Sequence, residues 1–336
     1  MKIINTLTGA ITGLAIFAGA ASAEEVWRIQ SHLPAGHAVY QNEVDWVTEV
    51  NAMLGGRLTL ELMPGGAVVP PNETIDAVGA GIVDGDITSP AYFAGRDPAF
   101  AMLADLVGGY ENWTQALAWC ELGGGKELLQ EIYKGYNAHL AGCANAGIES
   151  VASTKPIRTI ADFEGVKIRS PQGLASSIFS EMGASPVNMG MADIFLALEK
   201  GVVDAADISS YAMNSKGGFH EVAKFPLLDF HSLPVLSVSF NLDKYNAQPD
   251  DIKAILNMAV RDLATQINLK DMVNRGEAMA TDAANGVEVV IWSAEDRQAM
   301  RDIARQVWED AAAKSDLSRR AYDSQTSFLR TIGLIE

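Results

Sequence analysis

Apolar and polar residues alternate over Glu25-Val-Trp-Arg-Ile-Gln30, which predicts an entry strand, and the loop Ser31-His-Leu-Pro-Ala-Gly-His37 follows it. Helix-spaced apolar positions then run from about Ala38 to Leu54 and stop at Gly55-Gly56. Leu58-Thr-Leu-Glu-Leu62 alternates again as a strand. The order strand, helix, strand, helix argues for an α/β lobe built on a largely parallel sheet.

A weak internal repeat organises the middle of the chain. "AVGAGIVDGDITS" (Ala77–Ser89) and "ALEKGVVDAADISS" (Ala197–Ser210) each read as a helix end, a glycine suited to a left-handed C-cap, and an apolar strand ending in hydroxyl residues. Two α/β lobes would each bring a strand end to a shared cleft; the same pattern also suits an ordinary helix-to-strand connection. Leu233–Asn241 is a long strand, after which the periodicity becomes helical from Pro249 to near Thr281 and from Ser293 to about Ser315. The short run "VEVVIW" (Val287–Trp292) between them predicts a strand, and the long helical tail suits a brace across both lobes.

The first residues bear on compartment. Met1-Lys2, the apolar run "ITGLAIFAGA" and Ala21-Ser22-Ala23 form a secretory signal with an A-x-A cleavage site after about Ala23, and the run is too short to span a bilayer. Residues 1–23 are therefore set aside, and the remaining roughly 310 residues exceed one comfortable core. The net charge of −17 disfavours nucleic acid and anionic membrane as partners. Export permits a disulfide between Cys120 and Cys143, but the spacing equally allows two buried free thiols.

Catalytic signatures are missing. His220-Glu221 is followed by Val-Ala-Lys, so no H-E-x-x-H zinc motif forms, and no nucleophile elbow, Walker loop or dinucleotide fingerprint stands in context. Arg169 differs by its setting in "GVKIRSPQG" (Gly165–Gly173). The strand turns Val166 and Ile168 one way, Lys167 and Arg169 the other. Ser170 suits an N-cap and Pro171 the first helical position, so the arginine would sit at a strand's C-terminal end beside a helix N-terminus, where open α/β sheets bind ligands and anions are favoured. Its guanidinium could hold a carboxylate through two parallel hydrogen bonds. A surface ion pair is the plainer alternative. Tyr92 fits the core as readily as a ligand site, and Glu149 and His32 fit solvent and site alike.

The motif "DFEGVKIRSPQG", the helix and strand "MGASPVNMGMADIFLALEKGVVDAAD" and the segment "MPGGAVVPPNETIDAVGAGIVDGDI" resemble DctP-type solute receptors of tripartite ATP-independent periplasmic (TRAP) transporters, and the resemblance spans essentially the whole mature chain. It implies a two-lobed, type II-like periplasmic binding protein with hinge strands and a long helix bracing both lobes. Lobe I would comprise 24–148 plus about 235–280, lobe II 149–234 plus about 281–336. Such receptors capture an organic acid in the cleft and hand it to a membrane permease, with the arginine matching Arg169 on the carboxylate. "SPAYFAGRDPAFAML" and "GGAVVPP" are similar to the branch that binds 2-oxo acids and related small or aromatic carboxylates, which implies a hydrogen bond from Tyr92 to the ligand. Some members hold a metal ion through an acid and a tryptophan after the second strand; here Asp207 and Ile208 stand there, so Asp207 alone remains as a metal candidate and no cofactor is expected. Glu149 occupies a ligand-contacting position twenty residues before Arg169 and would repel a second negative charge, which implies a monocarboxylate bearing hydroxyl or other donor groups. His32, Ser209 and Tyr211 complete the expected ligand set. A homodimer is a further expectation, and a secreted hydrolase or lyase acting on an organic acid is the alternative.

Overall fold

The computed structural model describes residues 25–171, 173–228 and 231–336, so the signal sequence expected over 1–23 lies outside the described residues. Among the described residues the nine strands are β1 (Glu25–Ser31), β2 (Leu58–Met63), β3 (Gly85–Thr88), β4 (Ala138–Asn145), β5 (Glu149–Ser153), β6 (Lys167–Arg169), β7 (Ser185–Val187), β8 (Ala205–Ser210) and β9 (Val235–Asn241). They form a five-stranded sheet ordered β2-β1-β3-β9-β4 and a four-stranded sheet ordered β5-β8-β6-β7. The parallel expectation holds for β1 with β2 and β3, and for β6 with β7 and β8. It fails where the chain changes sheet: β9 is antiparallel to β3 and β4, and β5 is antiparallel to β8. The reason is direction of travel. The chain leaves the first sheet along β4 into β5 and comes back along β9, so outgoing and returning strands run opposite ways.

The two crossing segments lie side by side, with Ala146 N donating to the Pro234 carbonyl at 3.1 Å and Glu149 N to the Ser232 carbonyl at 3.1 Å. The weak repeat places one copy in each sheet. Helix Thr74–Gly79, left-handed Gly81 (φ 71°) and β3 serve the first; helix Met191–Glu199, left-handed Gly201 (φ 67°) and β8 serve the second. At Gly85 a Cβ would stand 2.5 Å from the Ser239 carbonyl, so β3 can approach β9 only with glycine there.

The helix Ala38–Leu54 buries Val39, Tyr40, Glu43, Trp46, Val47, Val50 and Leu54 at helical spacing, starts on a His37 cap and ends on left-handed Gly55. The helix Asp250–Ala284 is 35 residues long. It packs on β4 and Ala38–Leu54 and, further along, on helix Tyr211–Lys216 of the second sheet. Near its far end Asp282 accepts hydrogen bonds from Tyr211 Oη (2.8 Å), Ser215 Oγ (2.9 Å) and His220 Nδ1 (2.7 Å). This helix is the brace.

Two expectations are revised and one open choice is settled. Val287–Trp292 is not a strand: Val290 forms an isolated bridge with Leu227, and beyond it only Glu288 N reaches across, to the Lys224 carbonyl at 2.9 Å. The tail is two helices, Ala294–Ala312 capped by Ser293 and Asp316–Thr331 capped by Ser315. The two pack on each other and both touch helix Ala99–Ala104; the first also packs on helix Leu174–Glu181 beside the second sheet, and the second on helix Gly125–Lys134. The open choice at the cysteines resolves to a disulfide: Cys120, on helix Trp113–Leu122, is bonded to Cys143 of β4 with 6.6 Å between Cα atoms.

Candidate ligand-binding site

Ile168 and Val166 are buried behind β6, which leaves Arg169 half-buried at its C-terminal end. Two carbonyls hold the guanidinium: Nε donates to Met189 O at 3.3 Å and Nη1 to Asp207 O at 2.6 Å. Nη2 has no partner among the described residues. The expected helix start at Ser170-Pro171 moves three residues on, to a Gly173 cap and Leu174. Ser170 Oγ donates to the Pro171 carbonyl at 3.2 Å instead of accepting from a first-turn N–H as a cap would, and the helix Leu174–Glu181 begins after Gly173 at φ 127°.

Beside Arg169 lies a cluster that the sequence did not announce. Glu149, Asp207 and His231 each offer a side-chain atom within 4.8 Å of the others. His231 Nε2 meets Asp207 Oδ1 at 2.8 Å, both groups being buried. Burial alone would lower the imidazole, but Asp207, with Glu149 and Asp105 behind it, raises it to about 9, so it is a cation at neutral pH. Ser232 Oγ stands 2.7 Å from Asp105 Oδ2 and 2.6 Å from Glu149 Oε2. One hydroxyl hydrogen can serve only one of these contacts, so one carboxyl must bring its own proton. The electrostatics of the two carboxyls agree. Desolvation, with Asp207 adding to it, raises Glu149 to about 7 against the opposing Ser232 bond, and desolvation raises Asp105 to about 6.

The helical turn Pro90–Phe93 presents Tyr92, 45% exposed, with its ring centroid 5.6 Å from that of His32. Burial pushes the Tyr92 hydroxyl up, and the nearby Arg169 charge pulls the other way, which places the phenol in the field of the guanidinium. His32 Nδ1 lies 3.1 Å from the Ile87 carbonyl. A carbonyl can only accept, so Nδ1 carries the hydrogen and Nε2 a lone pair. Burial, against the Ile87 bond, lowers this imidazole to about 4 and keeps it neutral.

The structure thus gathers Arg169, Tyr92, His32, Glu149 and Asp207. It does not bring the other two in as ligand readers. Ser209, at φ 22°, turns its Oγ to Met213 Sδ at 3.6 Å, and Tyr211 is fully buried with its hydroxyl on Asp282. A separate cavity of about 440 Å³, lined among others by Asn42, Met213 and Asp271, includes none of the five. His231, Asp105 and Ser232 were missed because nothing local marks them; His231 meets Asp207 across 24 residues of sequence, and only the fold joins them.

A calcium or sodium ion does not fit this donor set. Such ions want several oxygen ligands. Here Ile208 is buried and brings no side-chain oxygen, Glu149 Oε2 is engaged by Ser232, the third group is an imidazolium, and of Asp207 only Oδ2, buried without a partner among the described residues, is left to ligate.

Residues 29–315 match the model of the DctP family, described as bacterial extracellular solute-binding protein, family 7. The chain is 29% identical over 310 residues to a monocarboxylate 2-oxoacid-binding periplasmic protein from Nostoc sp., covering 91% of this chain and 84% of that one. It superposes with a TM-score of 0.84 and 37% identity on a TRAP periplasmic solute-binding protein from Rhodobacter sphaeroides in an apo open structure, covering 92% and 99% of the two chains. A TRAP solute-binding protein from Bordetella bronchiseptica, a mixed-occupancy dimer with calcium and picolinate in its bound site, gives 0.79 and 25% identity over 92% of each chain.

Proposed function

The chain belongs to the DctP family of bacterial extracellular solute-binding proteins, the receptors of TRAP transporters, and from that premise we propose that its cargo is a small organic monocarboxylate anchored on Arg169. The observation that carries this is the prepared guanidinium. Nε and one Nη1 hydrogen are fixed by backbone carbonyls, and the remaining edge of the fork is turned to a site shared with Tyr92. A carboxylate removed from water needs such a partner. Asp207 beside it, and Glu149 whenever it is ionised, disfavour a second negative group on the ligand.

Transport by binding replaces the enzymatic alternative, because this family consists of receptors and not of hydrolases or lyases. The reading includes export to the periplasm by residues 1–23 with cleavage after about Ala23, and delivery to the TRAP permease. It divides the chain into 24–148 plus about 235–280 and 149–234 plus about 281–336, with helix Asp316–Thr331 reaching back to the first part. An assembly of two copies has its support in the dimer of the Bordetella relative.

The test is a thermal-shift screen of the mature protein against monocarboxylates and dicarboxylates, followed by calorimetry on each hit. A ligand at about a hundred times its Kd adds about 2.7 kcal/mol of stability. Monocarboxylate hits that vanish in Arg169→Ala carry the proposal; a folded protein indifferent to every acid overturns it.

A further inference from the structure

We propose that the receptor captures a proton together with its anion, on a second site formed by Asp105, Glu149 and the Ser232 hydroxyl between them. The inference rests on the carboxylate reading above and goes beyond it by giving the protein a second ligand.

The spacing of the three groups defines the proton site. Ser232 Oγ stands 2.7 Å from Asp105 Oδ2 and 2.6 Å from Glu149 Oε2, and it has one hydrogen to give. With both carboxyls ionised, one of these contacts sets a hydroxyl lone pair against a carboxylate lone pair. A proton on either carboxyl turns both contacts into hydrogen bonds. Leu233 N donates to Asp105 Oδ1 at 3.3 Å, on the other oxygen, and leaves that shortage as it is.

The surroundings couple this pair to the anion. His231 faces it from the segment before β9, Asp207 faces it from β8, and Tyr110 stands near Asp105 with its own hydroxyl kept neutral by burial. Arg169, on β6, joins the cluster through its Nη1 bond to the Asp207 carbonyl. The guanidinium and the His231 imidazolium therefore stand against three acid groups before any ligand arrives, and an anion on Arg169 makes a fourth. Added negative charge favours the protonated form of a neighbouring acid. At an effective dielectric of about 20, a unit charge about 10 Å away moves a pKa by about one unit. The pair is poised to respond near neutrality, since burial, with Asp207 adding to it, holds Glu149 at about 7 and burial holds Asp105 at about 6. The sign follows. Binding raises the pKa of the pair, so affinity is full where the free protein already holds the proton, below about pH 6, and declines as pH rises through 7 towards 8.

Calorimetry of lactate, pyruvate, glycerate and benzoate at pH 7.5, in phosphate and in Tris, tests this, because the two buffers differ in ionisation enthalpy and the difference in measured heat counts the protons exchanged. These acids are themselves ionised at that pH. The expected result is an uptake of about half a proton per anion bound, with a Kd that rises about fivefold from pH 6 to pH 8. Glu149→Gln should cut the uptake by more than half and flatten the pH profile. Asp105→Asn, whose amide supplies Ser232 with the missing hydrogen, should do the same. Binding with no proton uptake and a level Kd overturns the inference and leaves the carboxylate reading standing, as does an uptake undiminished in both variants. Failure of every acid tested to bind, in a folded protein, overturns both.

Discussion

Arg169 is held by two backbone carbonyls before any ligand arrives, so its ordering is built into the fold and little conformational freedom remains to be lost on binding. Truncating it removes the only counter-charge proposed for the ligand. Charge-assisted hydrogen bonds contribute about 2–3 kcal/mol, so Arg169→Ala should weaken the best acid by about thirty-fold or more in calorimetry. An unchanged Kd would return Arg169 to a structural role. A second residue, remote in role, makes a pH prediction. Glu43 is completely buried on helix Ala38–Leu54, and neither carboxylate oxygen has a hydrogen-bond partner. Burial raises its carboxyl from 4.5 to about 8; the nearby Ser31 hydroxyl, short of a formed bond, works the other way. Between those two values the folded protein keeps a proton that the unfolded chain releases, so stability drains as pH rises through that window. Glu43→Gln cannot titrate, and its melting temperature should fall less steeply than that of the unaltered protein between pH 5 and 8.5. Because Asp86, Asp105 and Glu149 titrate in both proteins, the difference isolates Glu43, and parallel curves would refute the assignment.

Elements were legible where a period and a stop signal coincided. Helix Ala38–Leu54 closed at Gly55-Gly56 as expected, and the helix from Pro249 emerged as Asp250–Ala284. Misreadings arose where a tertiary partner decides the outcome. Val287–Trp292 has the composition of a strand but only Leu227 to pair with, and Ser170-Pro171 has the composition of a helix start but the chain turns first through Gly173. Site residues followed the same division. Arg169 could be picked out because strand, serine and proline lie next to it, whereas His231, in the segment before β9, gains its meaning only from Asp207 on β8. The disulfide belongs to this scale too, since it fastens helix Trp113–Leu122 to β4, a strand that leads directly into the crossing between sheets. Closing a separation of 23 residues constrains the unfolded chain by about 3 kcal/mol. Replacing Cys120 and Cys143 together by serine should lower the melting temperature measurably, and reductant should do the same to the unaltered protein but not to the double variant. A variant as stable as its parent would show that packing alone fixes the helix.

For the whole molecule the charge balance and the proposed cargo pull in opposite directions. The chain carries a net charge of −17, yet the ligand argued for is an anion, so attraction at the site must act within a field that repels at a distance. The two have different ranges. Repulsion from the surface acids is a long-range effect and is screened within about 10 Å at 0.1 M salt, whereas the pairing with Arg169 is a contact interaction in a half-buried setting and is screened far less. Salt should therefore help capture without loosening the grip, the reverse of the usual behaviour of a charged ligand and an oppositely charged receptor. Stopped-flow measurements between 20 and 200 mM salt should show the association rate constant rising while the dissociation rate constant stays nearly level. A falling association rate would mean that Arg169 and His231 dominate the potential at the mouth of the site, so that capture is steered by the local cation pair in spite of the acidic surface around it.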